Sequence, residues 1–163
     1  MKITFCVNTL KLTGGIKVIF EHANHLQKLG HQVTIVYPYN LSGKWFAKDG
    51  VTAGAKWLKS NLQAMLSFEN HHWFPVKAKI KKVPSLSAKY LPSADVVVAT
   101  AVETAPWVAK LPLECGAKFY FIQGYETWAM PAAKVHATYK LPMTKIVIAS
   151  WLKRLILKKT GER

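Results

Sequence analysis

Acidic side chains are scarce in this 163-residue chain: 8 Asp and Glu stand against 23 Lys and Arg, a formal charge of +15. That excess is larger than solubility requires and attracts phosphates, anionic lipid or nucleic acid without choosing among them. Cysteine is nearly absent. Cys6 and Cys115 have neither metal-ligand spacing nor the even-numbered framework of a disulfide-stapled domain, so both are expected as free thiols in a reducing cytoplasm. No apolar run approaches the roughly 18 to 20 residues that span a bilayer, and "MKITFCV" is too short and too strand-like for a signal peptide. Internal repeats and low-complexity tracts are also missing. These absences point to a soluble or peripheral cytoplasmic domain.

What is present is a hydrophobic half, 50% of the residues, which suits one sizeable core and a single domain over residues 1–163. "KITFCV" reads as a buried strand opening into the polar "NTLKLT". Apolar residues then follow a helical period over 15 to 29, ended by "LGH", and "QVTIVY" forms a second strand closed by Pro38. Strand, helix and strand in this order make a βαβ unit with a right-handed crossover and parallel strands. A helix is expected over 55 to 66, and an edge or short strand over 76 to 83, where prolines stand on both sides. "ADVVVAT" is a buried strand, "ETAPWVAKL" a short helix, and "AKFYFIQ" and "TKIVIAS" two more strands, the last opening into the helix "SWLKRLILKK". The expected fold is α/β: a Rossmann-like open, mostly parallel sheet with helices on both faces.

Gly14 and Gly15 sit at the first strand-to-helix junction, where backbone N–H groups can approach a ligand and the helix dipole favours phosphate. A purely structural role is the competing reading, with Gly14 in a positive-φ turn and Gly15 packing the helix on the sheet. A dinucleotide site would want G-x-G-x-x-G and an acidic residue ending the second strand. This chain has adjacent glycines, a longer loop, and Tyr37 and Pro38 at that strand end. The Walker string is absent too, which argues against a phosphate-loop hydrolase.

At the end of another strand, "YFIQGYETW" brings Gln123, Tyr125 and Glu126 to the carboxyl edge, where open α/β sheets bind ligands. They suit contact with a hydroxyl-rich substrate, or form an ordinary polar loop. Ser150 is expected to cap the last helix, with a ligand-facing role as the competing reading, and Trp151, Leu152 and Leu155 are expected as that helix's core face. The six histidines show no metal spacing, so no metal and no cofactor are expected. Lys44, Trp45, Lys48, Lys56, Trp57 and Lys59 interleave basic and aromatic residues. Such a patch fits an anionic membrane surface, a polyanion or a plain solvated face, and no nucleic-acid-binding signature accompanies it.

The stretch "MKITFCVNTLKLTGGIKVIFEHANHLQKLGHQVTIVYP" resembles the N-terminal half-domain of glycosyltransferase family 4, and "YFIQGYETW" and "KIVIASWLKRLI" are similar to segments of bacterial, polysaccharide-building, rhamnosyltransferase-like members. The resemblance implies a GT-B architecture, a retaining and metal-independent hexosyl transfer, a nucleotide-sugar donor and a glycan or lipid-linked acceptor. It implies an acceptor-side role for this domain, with Gly14, Gly15 and Lys17 at the donor diphosphate and Gln123, Tyr125 and Glu126 at the acceptor or sugar. Many family members place a histidine where Gln123 stands, so no catalytic base is assigned there. The family's paired-glutamate motif, on the donor-binding half, has no counterpart, so the chain is expected to be inactive alone. A peripheral position on the inner face of the cell membrane would fit such an acceptor. The alternative is a non-catalytic basic α/β module binding nucleic acid or another polyanion.

Overall fold

The computed structural model describes residues 1–39 and 72–161. The helix expected over 55 to 66 and the basic patch at Lys44, Trp45, Lys48, Lys56, Trp57 and Lys59 lie outside the described residues. Six strands form one parallel sheet: β1 (Lys2–Cys6), β2 (Gln32–Pro38), β3 (Lys79–Val83), β4 (Val96–Ala99), β5 (Ala117–Ile122) and β6 (Thr144–Val147). The order is β3-β2-β1-β4-β5-β6, the Rossmann-like arrangement expected from the alternating strands and helices. Adjacent pairs are in continuous register, for example Phe5 beside Ile35 on one side and Val98 on the other.

Helix α1 (Gly14–Lys28) covers one face. Its Ile16, Ile19, Phe20 and Ala23 recur at helical spacing and are buried against Ile3, Phe5, Val33, Ile35 and Phe121. Each large side chain buried there contributes about 1.5 to 3 kcal/mol. Phe20 stacks on Trp73 at 5.3 Å, and the Trp73 indole N–H donates to the Leu10 carbonyl at 3.1 Å. Asn24 clamps the same incoming segment, donating to Pro75 O at 2.9 Å and accepting from the Lys77 N–H at 2.7 Å. The helix ends where Gly30 takes a φ of 85°, as the "LGH" stop predicts.

The opposite face carries α2 (Ala105–Ala109), α3 (Ala132–Tyr139) and α4 (Ser150–Thr160), packed over Val97, Ala99, Tyr120 and Ile122. The pattern of the sequence leaves α3 unmarked. Its buried Val135, Thr138 and Tyr139 fall at i, i+3 and i+4, but eight residues hold only two turns of that period.

Two expectations about α4 are corrected. Ala149, in extended conformation, is the cap, and Ser150 is already helical with no side-chain capping bond. Trp151 is 51% exposed, whereas Leu152 and Ile156 are the buried face and Leu155 packs at its margin. Trp151 is three and four residues from Arg154 and Leu155, and the buried stripe passes on its other side.

Candidate functional site at the carboxyl edge

Strand order reverses between β1 and β4, so the loops that leave their carboxyl ends run apart and open a crevice. A cleft of about 380 Å³ occupies it, lined by Asn8, Thr9, Thr13 and Gly15 of the first loop and helix, Thr100, Ala101 and Glu103 after β4, and Gln123, Gly124, Glu126 and Trp128 after β5. Each loop is held by buried hydrogen bonds. Thr104 Oγ1 accepts from the Thr100 and Ala101 N–H groups, both at 3.1 Å, and donates to Ala101 O at 3.0 Å. Thr100 Oγ1 donates to Cys6 O at 2.9 Å, joining the end of β4 to the end of β1.

The glycine pair begins α1. Thr13 is the cap: its Oγ1 accepts from the Ile16 N–H at 3.2 Å, and its carbonyl takes the Lys17 N–H at 3.0 Å. The Gly14 and Gly15 N–H groups are left without an acceptor among the described residues. Neither glycine has a positive φ, which removes the positive-φ turn considered for Gly14. A Cβ at Gly14 would meet nothing within 4 Å. At Gly15 it would make an ordinary 3.5 Å contact with the Gln123 amide, so this glycine faces the side chain across the cleft.

Glu126 ties the two later loops together. Its Oε2 accepts from the Val102 N–H at 2.8 Å. Burial pushes its pKa from the ordinary 4.5 to about 7, against the pull of the Val102 N–H and with a smaller push from the Glu103 carboxylate. A carboxyl so poised can donate or accept a hydrogen bond near neutral pH, which suits hydroxyl groups.

The cleft therefore gathers Gly15, Gln123 and Glu126. It does not gather the Lys17 or Tyr125 side chains. Lys17 turns outward and pairs with Glu21 at 3.8 Å. Tyr125 turns to α3, where its hydroxyl is hydrogen-bonded to His136 Nε2 at 2.8 Å and the two rings are nearly parallel. Sequence reasoning passed over Thr13, Thr104, Glu103 and Trp128. For Thr13 the signal was present, a threonine one residue before a helix. Trp128, 77% exposed, overhangs Gly124, where a Cβ would come within 3.2 Å of its ring.

Among the described residues no group of three His, Cys, Asp or Glu side chains could hold a metal ion, and no helix is long and apolar enough to cross a membrane. His22 instead packs edge-on against Phe121 at 5.4 Å. Both cysteines are free, and burial raises the Cys6 thiol to about 12. Comparison with protein-family models, curated proteins and solved structures returned no match, so the functional reading rests on the chemistry of the cleft and on the resemblance.

Proposed function

We propose that this domain is the acceptor-side half of a retaining, metal-independent glycosyltransferase that moves a hexose from a nucleotide-diphosphate donor to a glycan or lipid-linked acceptor at the cytoplasmic face of the cell membrane. The observation that carries the reading is the glycine pair. Neither the backbone angles nor the packing of the fold requires glycine at 14 or 15, and glycine inside a helix costs up to about 1 kcal/mol relative to alanine. What the pair supplies is clearance over two N–H groups that lack an acceptor among the described residues at a helix N-terminus, with Gly15 lining the cleft and exposed Gly14 beside it, an arrangement suited to a diphosphate.

In the transfer, the bond from the sugar's anomeric carbon to the β-phosphate oxygen breaks, a bond to the acceptor oxygen forms, and the acceptor hydroxyl's proton passes to the departing diphosphate. Negative charge grows on the departing nucleoside diphosphate, where the Gly14 and Gly15 N–H groups and the α1 dipole stabilise it. Gln123 and Glu126 hydrogen-bond sugar hydroxyls, and Trp128 offers a pyranose an apolar wall. A dinucleotide is disfavoured because β2 ends at Tyr37 and Pro38 without the ribose-binding carboxylate. A nucleic-acid strand in the cleft is disfavoured because its lining holds one aromatic side chain, Trp128, where a bound strand would use a series of stacking platforms.

The test is a titration of isotopically labelled protein with uridine diphosphate and with inorganic pyrophosphate, followed by amide NMR. The Gly14 and Gly15 signals should move with both ligands, and Gly15→Val should weaken binding at least tenfold without lowering Tm. Unmoved glycine amides at millimolar ligand would refute the reading.

A further inference from the structure

From residue 127 to 161 the chain carries seven Lys or Arg and no Asp or Glu. That segment builds α3, β6 and α4, which pack side by side at one end of the sheet. The charge contributed by this segment is therefore of one sign. Lys134, Lys140, Lys153, Arg154 and Lys158 are all exposed. On α4 the exposed Trp151, Arg154 and Lys158 stand at i, i+3 and i+7, one stripe on the side away from the buried Leu152 and Ile156. Trp151 is 51% exposed in line with basic residues, which sets an interface-preferring ring beside cations that meet anionic headgroups.

We infer that the outer face of α3 and α4 docks on an anionic bilayer, with the α4 stripe against the headgroups and Trp151 at the acyl boundary. Charge complementarity selects the occupant. A second copy of this chain would bring like charge to like charge, and the single aromatic group on the stripe is not the series of stacking platforms that single-stranded nucleic acid uses. This surface is separate from the cleft and from the residues 44 to 59 patch, and it stands whether or not the chain transfers sugar.

The experiment is co-sedimentation of the full chain with vesicles of phosphatidylcholine alone and of phosphatidylcholine with one third phosphatidylglycerol. Binding is expected to the second only and to weaken as salt rises. Each basic residue near an anionic leaflet contributes roughly a factor of five, so Lys153→Gln, Arg154→Gln and Lys158→Gln together should weaken binding about a hundredfold. Trp151→Ala should weaken it roughly tenfold, through lost interfacial burial. All four side chains are exposed, so circular dichroism should show the variants folded like the parent. The inference is overturned if the parent fails to bind anionic vesicles, if the triple variant binds as well as the parent, or if neutralising Lys44, Lys48, Lys56 and Lys59 alone abolishes binding. Tighter binding to DNA or RNA than to vesicles at the same salt would also overturn it.

Discussion

Replacing Glu126 by glutamine should make this protein more stable at alkaline pH and change little at acid pH. Burial lifts the Glu126 pKa from 4.5 to about 7 in the folded chain, whereas the unfolded chain holds it at the ordinary value. A carboxyl whose folded pKa is raised favours the folded state while protonated. Its stabilising effect is complete below the unfolded value and is lost as pH rises through the folded one. Between pH 5 and pH 8 the linkage relation gives a loss of roughly 2.5 kcal/mol for that shift, and partial solvent screening of the half-buried group reduces it to about 2 kcal/mol. Glutamine is neutral throughout and can still accept the Val102 N–H through its amide oxygen, so the loop tie survives. Urea unfolding of both proteins at pH 5 and pH 8 isolates the effect, because histidines and other titrating groups are common to the two. The difference in stability between variant and parent should grow by about 2 kcal/mol across the interval. Glu103→Gln, which removes the neighbouring negative charge, should shift the parent's transition to lower pH. A difference that does not change with pH would refute the argument that Glu126 is held in a poorly solvated wall of the cleft.

Two further outcomes test the scaffold beneath the cleft. Thr104→Val keeps the shape but strands the Thr100 and Ala101 N–H groups, both buried, so calorimetry should show a loss of about 2 to 4 kcal/mol; a loss below about 0.5 kcal/mol would show that the loop finds other partners. Gly116→Ala forces a side chain onto a residue at φ 105° and places its Cβ 2.6 Å from Ala94 O, so it should cost at least about 2 kcal/mol in chemical denaturation, and an unchanged midpoint would contradict that geometry.

Strand identity was legible because the parallel strands are nearly continuous apolar runs. "VVVA" and "AKFYFI" contain residues buried on both sides of the sheet, which is the composition a central parallel strand needs. Helix α1 was legible because four turns repeat one apolar stripe that a glycine stop closes; its threonine cap was there to be read and was passed over. Helix α3 was not, since two turns carry too little period, and Trp151 was misplaced because an apolar residue next to a core position looks alike whether it faces in or out. The candidate site was half legible. The carboxyl-edge position of Gln123 and Glu126 followed from strand ends alone. That Tyr125 turns away to His136, that Lys17 pairs with Glu21, and that Glu126 bonds a backbone N–H 24 residues distant all depend on tertiary placement, which local pattern does not carry.

A useful division runs through the residues at the carboxyl edge. Thr13, Thr100 and Thr104 are fully accounted for by the fold: each satisfies a named backbone group. Gly14, Gly15 and Trp128 are not. An alanine would fit at either glycine, and a polar residue would cost nothing at a ring 77% exposed to water. Local choices that run against stability without a structural return are where functional demands concentrate. Here Gly15 and Trp128 line one cleft with Gly14 next to Gly15 in the chain, and α4, which carries the basic stripe, also begins at the carboxyl end of its strand. If the glycine pair binds diphosphate and the stripe binds anionic lipid, the same edge of the sheet serves the donor and faces the membrane. The two readings are separable by experiment: Gly15→Val should weaken nucleotide binding at least tenfold and leave vesicle binding intact, and the triple α4 variant should weaken vesicle binding and leave nucleotide binding intact. A single substitution set that removed both activities together would show that one surface performs both tasks, and the division drawn here between cleft and stripe would fail.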